Sequence, residues 1–219
     1  MAKLIIFGTG DIAQIANYYF TNDSEHEVVA FTVNKEYLTT DEFEGKPVVA
    51  FENIENEYPN TEFKMFVALS YSDLNKTRAE KYTESKNKGY ELVSYISSKC
   101  SYMTQFTSGD NCFIFEDNTI QPFVQIGSNI TLWSGNHIGH HSILEDHLFI
   151  SSHVVISGHC KISSYTFIGV NSTIGHQVTI ERENLIGAGS IITKSTEFGD
   201  VYVPSKSIKL EKKSNHFKI

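Results

Sequence analysis

An aliphatic residue at every sixth position through the second half of the chain is the feature that most limits how it can fold. From Ile114 to Ile192, fourteen consecutive positions spaced six residues apart are each occupied by an isoleucine or a leucine. This spacing matches neither an α-helix, with about 3.6 residues per turn, nor the alternation of an ordinary strand. Six residues can instead form one flat side and one tight turn of a prism, and three sides close one coil.

Residues eighteen apart therefore lie one above the other in this prism. Successive coils stack at the strand spacing of about 4.8 Å, and each completes the backbone hydrogen bonds of its neighbour. The aliphatic side chains point inward, and small residues two positions earlier, such as Cys160, fit beside them. The pattern predicts a left-handed parallel β-helix of four to five coils, a known exception to the right-handed crossover rule.

The N-terminal part of the chain has a different pattern. The segment KLIIFGTGDIA at residues 3–13 is typical of a buried strand, a glycine-rich turn and the start of a helix. Gly8 and Gly10 permit a tight turn and a close approach of the backbone, and the helix would point its N-terminal amides at a phosphate. Further strands are predicted at 27–34, 46–51, 63–70 and 90–97, and a helix at 72–89. This alternation predicts a Rossmann-like α/β domain with a parallel sheet.

The glycine fingerprint departs from the form that binds nicotinamide cofactors. The second strand should end in an acidic residue for the ribose hydroxyls, but it ends at Val33 and Asn34. The segment therefore predicts a nucleotide-phosphate site of another kind. The alternative, in which the glycines serve only a packed strand-to-helix turn, stays open.

Composition excludes several classes of protein. A net charge of −8 over 219 residues argues against a nucleic-acid-binding surface. The three cysteines show no paired spacing, which suits a reducing compartment. No apolar run is long enough for a membrane span, and the first residues form a strand pattern without a signal peptide, so we expect a cytoplasmic protein. The predicted domains are residues 1–98, the α/β domain, residues 99–203, the β-helix, and residues 204–219, a basic tail.

Six of the nine histidines lie between residues 136 and 162. In coils of eighteen residues His141 lies under His159, and His140 lies under Gly158. His147 and His153 fall on the other two corners, where a surface role is the simpler interpretation. His140 and His176 also have the spacing of two ligands in the metal-dependent carbonic anhydrases built on a β-helix. However, Glu181 stands where that class has its next histidine, and a zinc site of that kind needs three protein ligands.

The whole arrangement resembles the hexapeptide-repeat bacterial sugar acetyltransferases of the sialic acid O-acetyltransferase and bacillosamine-pathway N-acetyltransferase type. The segments that carry the resemblance are FGTGDIA, FVALSYSDLNKTR, GHHSILEDHLFISSHVVISGHCKI and FIGVNSTIG. The resemblance implies a homotrimer with active sites between neighbouring β-helices, a nucleotide sugar bound to the N-terminal domain, and acetyl-CoA as co-substrate. No metal is expected.

Carried over by position, the resemblance makes His140 the general base, with His141 beside it in the catalytic pair. Similar proteins have an acidic residue directly after this histidine, so Glu145, Asp146 or a group of a neighbouring subunit is expected to replace it. The expected oxyanion and acetyl-CoA-binding residues are Gly158, His159, Gly175, Gly187 and Lys206. The expected nucleotide-sugar-binding residues are Gly8, Gly10, Asp11, Asn34, Ser70 and Tyr71.

The resemblance thus implies N-acetylation of a nucleotide-linked amino sugar, a reaction that feeds polysaccharide biosynthesis. O-acetylation of sialic acid or a glycan is the first alternative. A metal-dependent hydratase of the carbonic anhydrase type and a non-enzymatic binding module are the others. Trimerisation would use outward apolar residues, for which Phe115 and Val124 are the candidates from the sequence.

Overall fold

The structure, a computed structural model, describes residues 2–209, 211 and 213 and contains an α/β sheet followed by a three-sided β-helix. The predicted basic tail is therefore described only as far as residue 209 and at residues 211 and 213. Within these residues, no helix combines the length and the apolar character that crossing a membrane requires.

The N-terminal sheet has five strands in the order β3-β4-β2-β1-β5. Strand β3 is antiparallel to β4, and the other pairs are parallel. Alternate residues of the strands are buried on opposite faces, with Leu4 and Ile6 on one and Ile5 and Phe7 on the other. The bounds are β1 Lys3–Phe7, α1 Asp11–Asn22, β2 Glu27–Val33, β3 Glu42–Phe43, β4 Lys46–Ala50, β5 Phe63–Val67 and α2 Lys76–Asn87, with short 3₁₀ turns at Lys35–Tyr37 and Phe51–Asn56.

Two predicted elements of this region differ from the structure. Helix α2 begins four residues later than predicted because Asp73, Leu74 and Asn75 have left-handed backbones, with φ between 47° and 69°. The predicted single strand at residues 90–97 was wrong. Leu92 makes one bridge to the sheet at Met65, whereas residues 95 and 96 already pair with the β-helix, because the chain crosses between the two regions here.

The β-helix consists of two-residue strands in three parallel rows. One row is β6-β8-β11-β14-β17-β20-β22, the next is β7-β9-β12-β15-β18-β21, and the third is β10-β13-β16-β19. The bounds are β6 Tyr95–Ile96, β7 Ser101–Tyr102, β8 Phe113–Ile114, β9 Thr119–Ile120, β10 Gln125–Ile126, β11 Thr131–Leu132, β12 His137–Ile138, β13 Ile143–Leu144, β14 Phe149–Ile150, β15 Val155–Ile156, β16 Lys161–Ile162, β17 Phe167–Ile168, β18 Thr173–Ile174, β19 Thr179–Ile180, β20 Leu185–Ile186, β21 Ile191–Ile192 and β22 Val201–Tyr202.

The repeated aliphatic residues form one continuous core along the prism axis. Each of the fourteen, from Ile114 to Ile192, is at most 6% exposed. From β6 to β21 each strand pairs in register with a strand eighteen residues away, as Ile143 with Lys161, whereas β22 pairs at sixteen residues, Leu185 with Val201. The predicted register is therefore confirmed by the strand pairing.

The turn after each strand from β8 to β20 places one residue in the left-handed backbone region, and Asn111 before β8 has the same conformation. The open edge has Phe123, His141, His159 and Gln177 in this conformation. The covered edge has Asn111, Asn129, His147, Tyr165 and Glu183, and the third edge has Asp117, Gly135, His153, Asn171 and Gly189. Asparagine, aspartate and histidine tolerate this conformation better than most residues, which accounts for four histidines of the cluster.

Helix α2 lies along the covered edge and joins the two regions. Arg78 of this helix is 2% exposed. Its guanidinium donates hydrogen bonds to Asn129 Oδ1 at 3.1 Å, to the carbonyl of Leu148 at 2.8 Å and to the carbonyl of Ser70 at 3.1 Å. Burial lowers the pKa of Arg78 to about 9, so the side chain still carries its charge at neutral pH.

The two residues that the sequence assigned to the outer surface are both buried, so that prediction was wrong. Val124 lies in the prism core with no exposed surface. Phe115 packs against Trp133, with ring centroids 4.7 Å apart, in the hydrophobic cluster shared with the N-terminal sheet. An outward position on the prism is not exposed where another part of the chain covers it.

Candidate active site

Three histidines come together on the open edge. The Nδ1 atoms of His140 and His141 lie 3.0 Å apart. The rings of His141 and His159 are stacked, with centroids 4.7 Å apart and planes at 11°. The ring of His140 stands almost perpendicular to both. All three side chains are exposed, so these imidazoles are open to a ligand from solvent.

The residue directly above His140 in the next coil is Gly158, which has no side chain. A Cβ atom on Gly158 would lie 2.8 Å from both Cε1 and Nε2 of the His140 ring, closer than real Cβ contacts. A Cβ atom on Gly139 would lie 2.5 Å from the backbone nitrogen of Gly158. Both glycines are therefore required for the imidazole to lie against the next coil.

The amide of Gly158 is available as a donor. Gly158 is a buried residue, and within the described part of the chain no atom accepts a hydrogen bond from its backbone N–H. This N–H lies beside an exposed imidazole, so a donor and a possible base share one corner. It can donate to a ligand oxygen that reaches this corner.

Neighbouring side chains hold the histidines in place. The backbone N–H of His140 donates to Oε1 of Gln121 at 2.9 Å. The ring of Phe123 packs on His141 with centroids 4.6 Å apart. Partial desolvation, followed by the nearby His141 and His140, lowers the pKa of His159 although its side chain is exposed. Gln121 was missed in the sequence, although it lies one coil below Gly139 in the repeat.

The acidic residues expected to orient His140 were predicted wrongly. Asp146 accepts a hydrogen bond from the backbone of Ser128 at 2.7 Å, and Glu145 pairs with Lys161 at 2.8 Å. A flat face of the prism separates Glu145 and Asp146 from the corner that holds His140. Both carboxylates therefore bind groups near the covered edge instead of His140. The group that contacts His140 Nδ1 within the chain is His141.

The other predicted residues of the β-helix lie at different places. Gly175 is in the open-edge turn one coil above Ser157, and its amide donates to the carbonyl of Ile192. Gly187 belongs to the third edge, where its amide donates to the carbonyl of Tyr202 at 2.7 Å. Lys206 is exposed beyond β22. Cys160 fills the small inward position and is 1% exposed.

A cavity of about 370 Å³ lies between the start of α1 and the loop after β5. It is lined by Gly10, Asp11, Ile12, Ala68, Leu69, Ser70, Ser72 and Thr77. The first turn of α1 borders it, and no side chain caps that helix end. Exposed N–H groups at a helix N-terminus at the carboxyl end of parallel strands are a favourable place for a phosphate.

Three predicted nucleotide-sugar residues, Gly10, Asp11 and Ser70, line this cavity, and three lie outside its lining. Gly8 has φ of +122°, and a Cβ there would lie 2.9 Å from the carbonyl of Ala68, so packing alone requires glycine. Asn34 donates to Glu52 at 3.1 Å. Tyr71 packs against Phe149 with centroids 4.8 Å apart.

Glu52 was missed in the sequence. It lies two residues after the end of β4, in the 3₁₀ turn Phe51–Asn56, and its carboxylate accepts hydrogen bonds from Asn34 and from the backbone of Lys35. Although desolvation raises it, these hydrogen bonds keep the pKa of Glu52 below its ordinary value. The acidic group absent from the end of β2 is thus supplied by the next parallel strand, and its position after the segment KPVVAF was the available signal.

A larger cavity, about 580 Å³, holds none of the predicted catalytic, acetyl-CoA-binding or nucleotide-sugar-binding residues and includes only Glu145 and Asp146 of the residues expected near His140. It lies on the flat face between the open and covered edges and is lined by Phe106, Thr107, Gln125, Ile126, Gly127, Ile143, Leu144, Glu145, Asp146 and Ser164. Size alone does not assign it a role. The chemistry is concentrated at the histidines and at the start of α1.

Comparison with known families identifies the repeat. The model described as bacterial transferase hexapeptide (six repeats) matches residues 159–194. Residues 159–194 therefore carry hexapeptide repeats of this type. The match spans the six strands β16 to β21 and includes His159, whereas His140 and His141 precede it. No curated protein matches the sequence.

Solved structures match the fold over almost the whole chain. The acetyltransferase domain of PglB from Neisseria gonorrhoeae is 18% identical, with a TM-score of 0.78 and coverage of 92% of this chain and 96% of that chain. PerB from Caulobacter crescentus, in complex with CoA and GDP-perosamine, is 19% identical, with a TM-score of 0.76 and coverage of 94% and 97%. WeeI from Acinetobacter baumannii is 14% identical, with a TM-score of 0.64 and coverage of 93% and 97%.

These likenesses confirm the predicted fold class, a Rossmann-like α/β domain followed by a left-handed parallel β-helix. They also confirm the resemblance to hexapeptide-repeat sugar acetyltransferases at the level of the fold and the repeat.

Proposed function

We propose that this chain is an acetyl-CoA-dependent acetyltransferase that N-acetylates a nucleotide-linked amino sugar. The observation that carries the proposal is the exposed imidazole of His140 against Gly158, whose backbone N–H has no acceptor among the described residues. A base beside a hydrogen-bond donor is what acyl transfer to an amine requires. The fold likeness to PglB, solved with acetyl coenzyme A, and to PerB, solved with CoA and GDP-perosamine, supports the same reaction and substrate classes.

His140 acts as the general base through Nε2. In this assignment its Nδ1–H donates to His141 Nδ1, 3.0 Å away, and His141 carries its own proton on Nε2. The lone pair on His140 Nε2 is then free to accept a proton from the acceptor amine. His141 thereby does the orienting work for which similar proteins use an acidic residue, and it does so as a neutral group.

Gly158 stabilises the charge that develops during the transfer. Its amide lies beside the His140 ring, so one corner holds both the base and the donor. Acetyl-CoA supplies the acetyl group as a thioester. In the overall exchange, the acetyl carbon replaces its bond to sulfur with a bond to nitrogen, and one proton passes from the amine by way of His140 to the departing thiolate.

The nucleotide sugar is proposed to bind at the cavity where α1 begins. Gly10 has open space at its Cα, so a phosphate can approach the backbone there, and Ser70 offers a hydroxyl on the opposite wall. Asn34 and Glu52 at the neighbouring strand ends are candidates for the nucleoside. Such a substrate places the reaction in polysaccharide biosynthesis.

A homotrimer with active sites between subunits completes the proposal. Exposed apolar side chains border the open edge: Phe123 is 48% exposed and Val155 is 41% exposed. A second β-helix packed there would bury these side chains and close the solvent side of His140. Light scattering on the full chain tests this arrangement, and a monomeric mass at working concentration would contradict it.

The decisive experiment is acetylation of a panel of UDP-, dTDP- and GDP-linked 3-amino and 4-amino sugars with acetyl-CoA, followed by the mass of the sugar product. We expect one amino sugar to gain an acetyl group while its hydroxyl counterpart does not. Acetylation of hydroxyl acceptors alone would replace the proposal with O-acetylation. Inactivity with every acceptor would contradict both.

His140→Ala tests the base within that experiment. Loss of a general base typically costs about 10²–10⁴ in turnover, and we expect a loss in this range with an unchanged melting temperature. His153→Asn is the matched control, because His153 is an exposed histidine on the third edge and Asn171 occupies the same corner position one coil above. Equal turnover of both variants would remove His140 from the mechanism.

A further inference from the structure

We propose that His140, His141 and His159 bind one divalent transition-metal ion of the zinc type, and that the bound ion stops acetyl transfer. One nitrogen from each side chain lies within 4.8 Å of the others. Among residues 2–209, 211 and 213, this is the one group of three histidine, cysteine or acidic side chains that comes together in this way. All three belong to one chain, so the site does not depend on a partner subunit.

The geometry is close to that of a zinc site. Zinc–nitrogen bonds of about 2.0–2.1 Å in a tetrahedron put ligand nitrogens roughly 3.4 Å apart. The Nδ1 atoms of His140 and His141 already lie 3.0 Å apart. The separation between the ligand nitrogen of His159 and those of the other two histidines, up to 4.8 Å, must shorten by roughly 1.4 Å. Rotation of the exposed His159 side chain can achieve this.

The ligand set also fits the ion. Neutral imidazoles suit zinc, nickel and copper ions better than calcium or magnesium, which prefer oxygen ligands. Three nitrogens leave a fourth position for water or another small ligand, as in zinc sites with three protein ligands. The β-helix also holds two of the ligands together. His141 and His159 are eighteen residues apart, so they occupy the same corner in neighbouring coils and their rings stack.

Inhibition follows from the tautomer that coordination requires. An ion bound to Nδ1 of His140 uses the lone pair of that nitrogen, so the neutral ring must keep its proton on Nε2. The nitrogen that faces Gly158 then cannot accept a proton from the acceptor amine. Metal binding stands on the geometry alone, whereas inhibition rests on the proposed acetyltransferase function.

The binding test uses the full chain without a purification tag, titrated with Zn²⁺ by calorimetry and with Co²⁺ by visible absorption. The variants are His141→Asn and His159→Asn, with His153→Asn as the matched control. Asparagine is chosen because Asn129 and Asn171 occupy the same left-handed corner position. Folding of each variant is checked by circular dichroism.

We expect wild type and the control to bind one ion per chain. The two cluster variants should bind more than about 100-fold more weakly, since even outer partners of a metal site are worth 10–100-fold. Absence of Zn²⁺ binding by wild type, or unchanged affinity in a folded His159→Asn variant, would overturn the site.

The inhibition test measures the acetylated sugar by mass, because the thiol of released CoA itself binds zinc. We expect Zn²⁺ to stop wild type and His153→Asn over the concentration range in which it binds, and a chelator to restore both. Full turnover with the site occupied would overturn inhibition while leaving the binding result intact. A chain inactive without metal would refute the proposed function, and the calorimetric titration would still decide the site.

Discussion

The open and covered edges of the prism carry the same residue type at the same repeat position and yet differ in chemistry. His141 on the open edge is exposed and contacts two other histidines. His147 on the covered edge is half-buried, pairs with the side chain of Asn129 at 2.9 Å and packs against Tyr82 of α2. Burial, followed by charges including that of Arg78, lowers the pKa of His147.

The difference shows that the repeat determines the backbone position of a side chain, whereas the residues around it determine its exposure and its hydrogen-bond partners. Both histidines have φ near 60°, 60° for His141 and 62° for His147. On the covered edge a helix from the N-terminal region removes water and supplies partners. The open edge has no such cover within the described residues, so its imidazoles stay available to ligands.

The largest expected effect is the loss of stability in Arg78→Ala, which removes the hydrogen bonds that join α2 to the covered edge. Each buried acceptor left without a partner costs about 1–3 kcal/mol, and Arg78 serves several carbonyl oxygens. We expect the free energy of unfolding to fall by about 3 kcal/mol or more in chemical denaturation. Arg182→Ala is the control, since that side chain is 53% exposed on the same edge. A loss below about 1 kcal/mol for Arg78→Ala would contradict this account of the joint.

The next prediction separates stability from catalysis on the open edge. Gly139→Ala forces a Cβ against the backbone of Gly158, and such overpacking typically costs about 1–3 kcal/mol. Gly158→Ala meets only the exposed ring of His140, which can swing away. We therefore expect Gly158→Ala to keep its melting temperature and to lose turnover by about 100-fold, the effect of roughly 1 Å of misplacement. Unchanged turnover in Gly158→Ala would refute the proposed position of His140.

A smaller effect on turnover is expected when His141, the hydrogen-bond partner of His140, is replaced. His141→Gly keeps the left-handed turn, as Gly135 does on the third edge, and removes the acceptor for His140 Nδ1. A hydrogen bond of about 1 kcal/mol corresponds to about fivefold in turnover. His141→Asp restores an acceptor at a position that Asp117 shows to be compatible with aspartate. Turnover no higher in His141→Asp than in His141→Gly would exclude the orienting role.

The smallest prediction concerns pH and the covered edge. Because the pKa of His147 is lowered on folding, the unfolded chain binds its proton first as the pH falls. The contribution of His147 to stability is complete above its ordinary pKa of 6.5 and is lost as the pH falls below that value through the folded pKa. The charged groups near it are Arg78, Asp110, Asp146 and Arg182.

Replacement of His147 with glutamine removes that titrating group, and Gln177 shows that glutamine fits a corner. We expect the free energy of unfolding of wild type to decline between pH 6.5 and 5 more steeply than that of His147→Gln, by at most about 1.4 kcal/mol per pH unit. The third-edge variant His153→Asn should keep the wild-type slope. Parallel curves for wild type and His147→Gln would contradict the assignment.

The sequence by itself determined the prism and the contents of its corners. Since the strands from β6 to β21 pair with strands eighteen residues away, counting from Ile114 was sufficient to stack His141 under His159 and His140 under Gly158. The glycine-rich turn likewise located the start of α1 and, with Gly10, Asp11 and Ser70, part of the N-terminal cavity.

The tertiary structure alone decided which corner is covered and which side chains are already engaged. The docking of α2 through Arg78, the burial of Phe115 and the pairing of Glu145 with Lys161 involve side-chain choices that the six-residue period does not specify. The contact between His140 Nδ1 and His141 Nδ1 depends on the orientation of two rings, which residue spacing does not fix. A repeat determines the position of a residue because its contacts recur, whereas contacts between unlike segments follow from their packing in three dimensions.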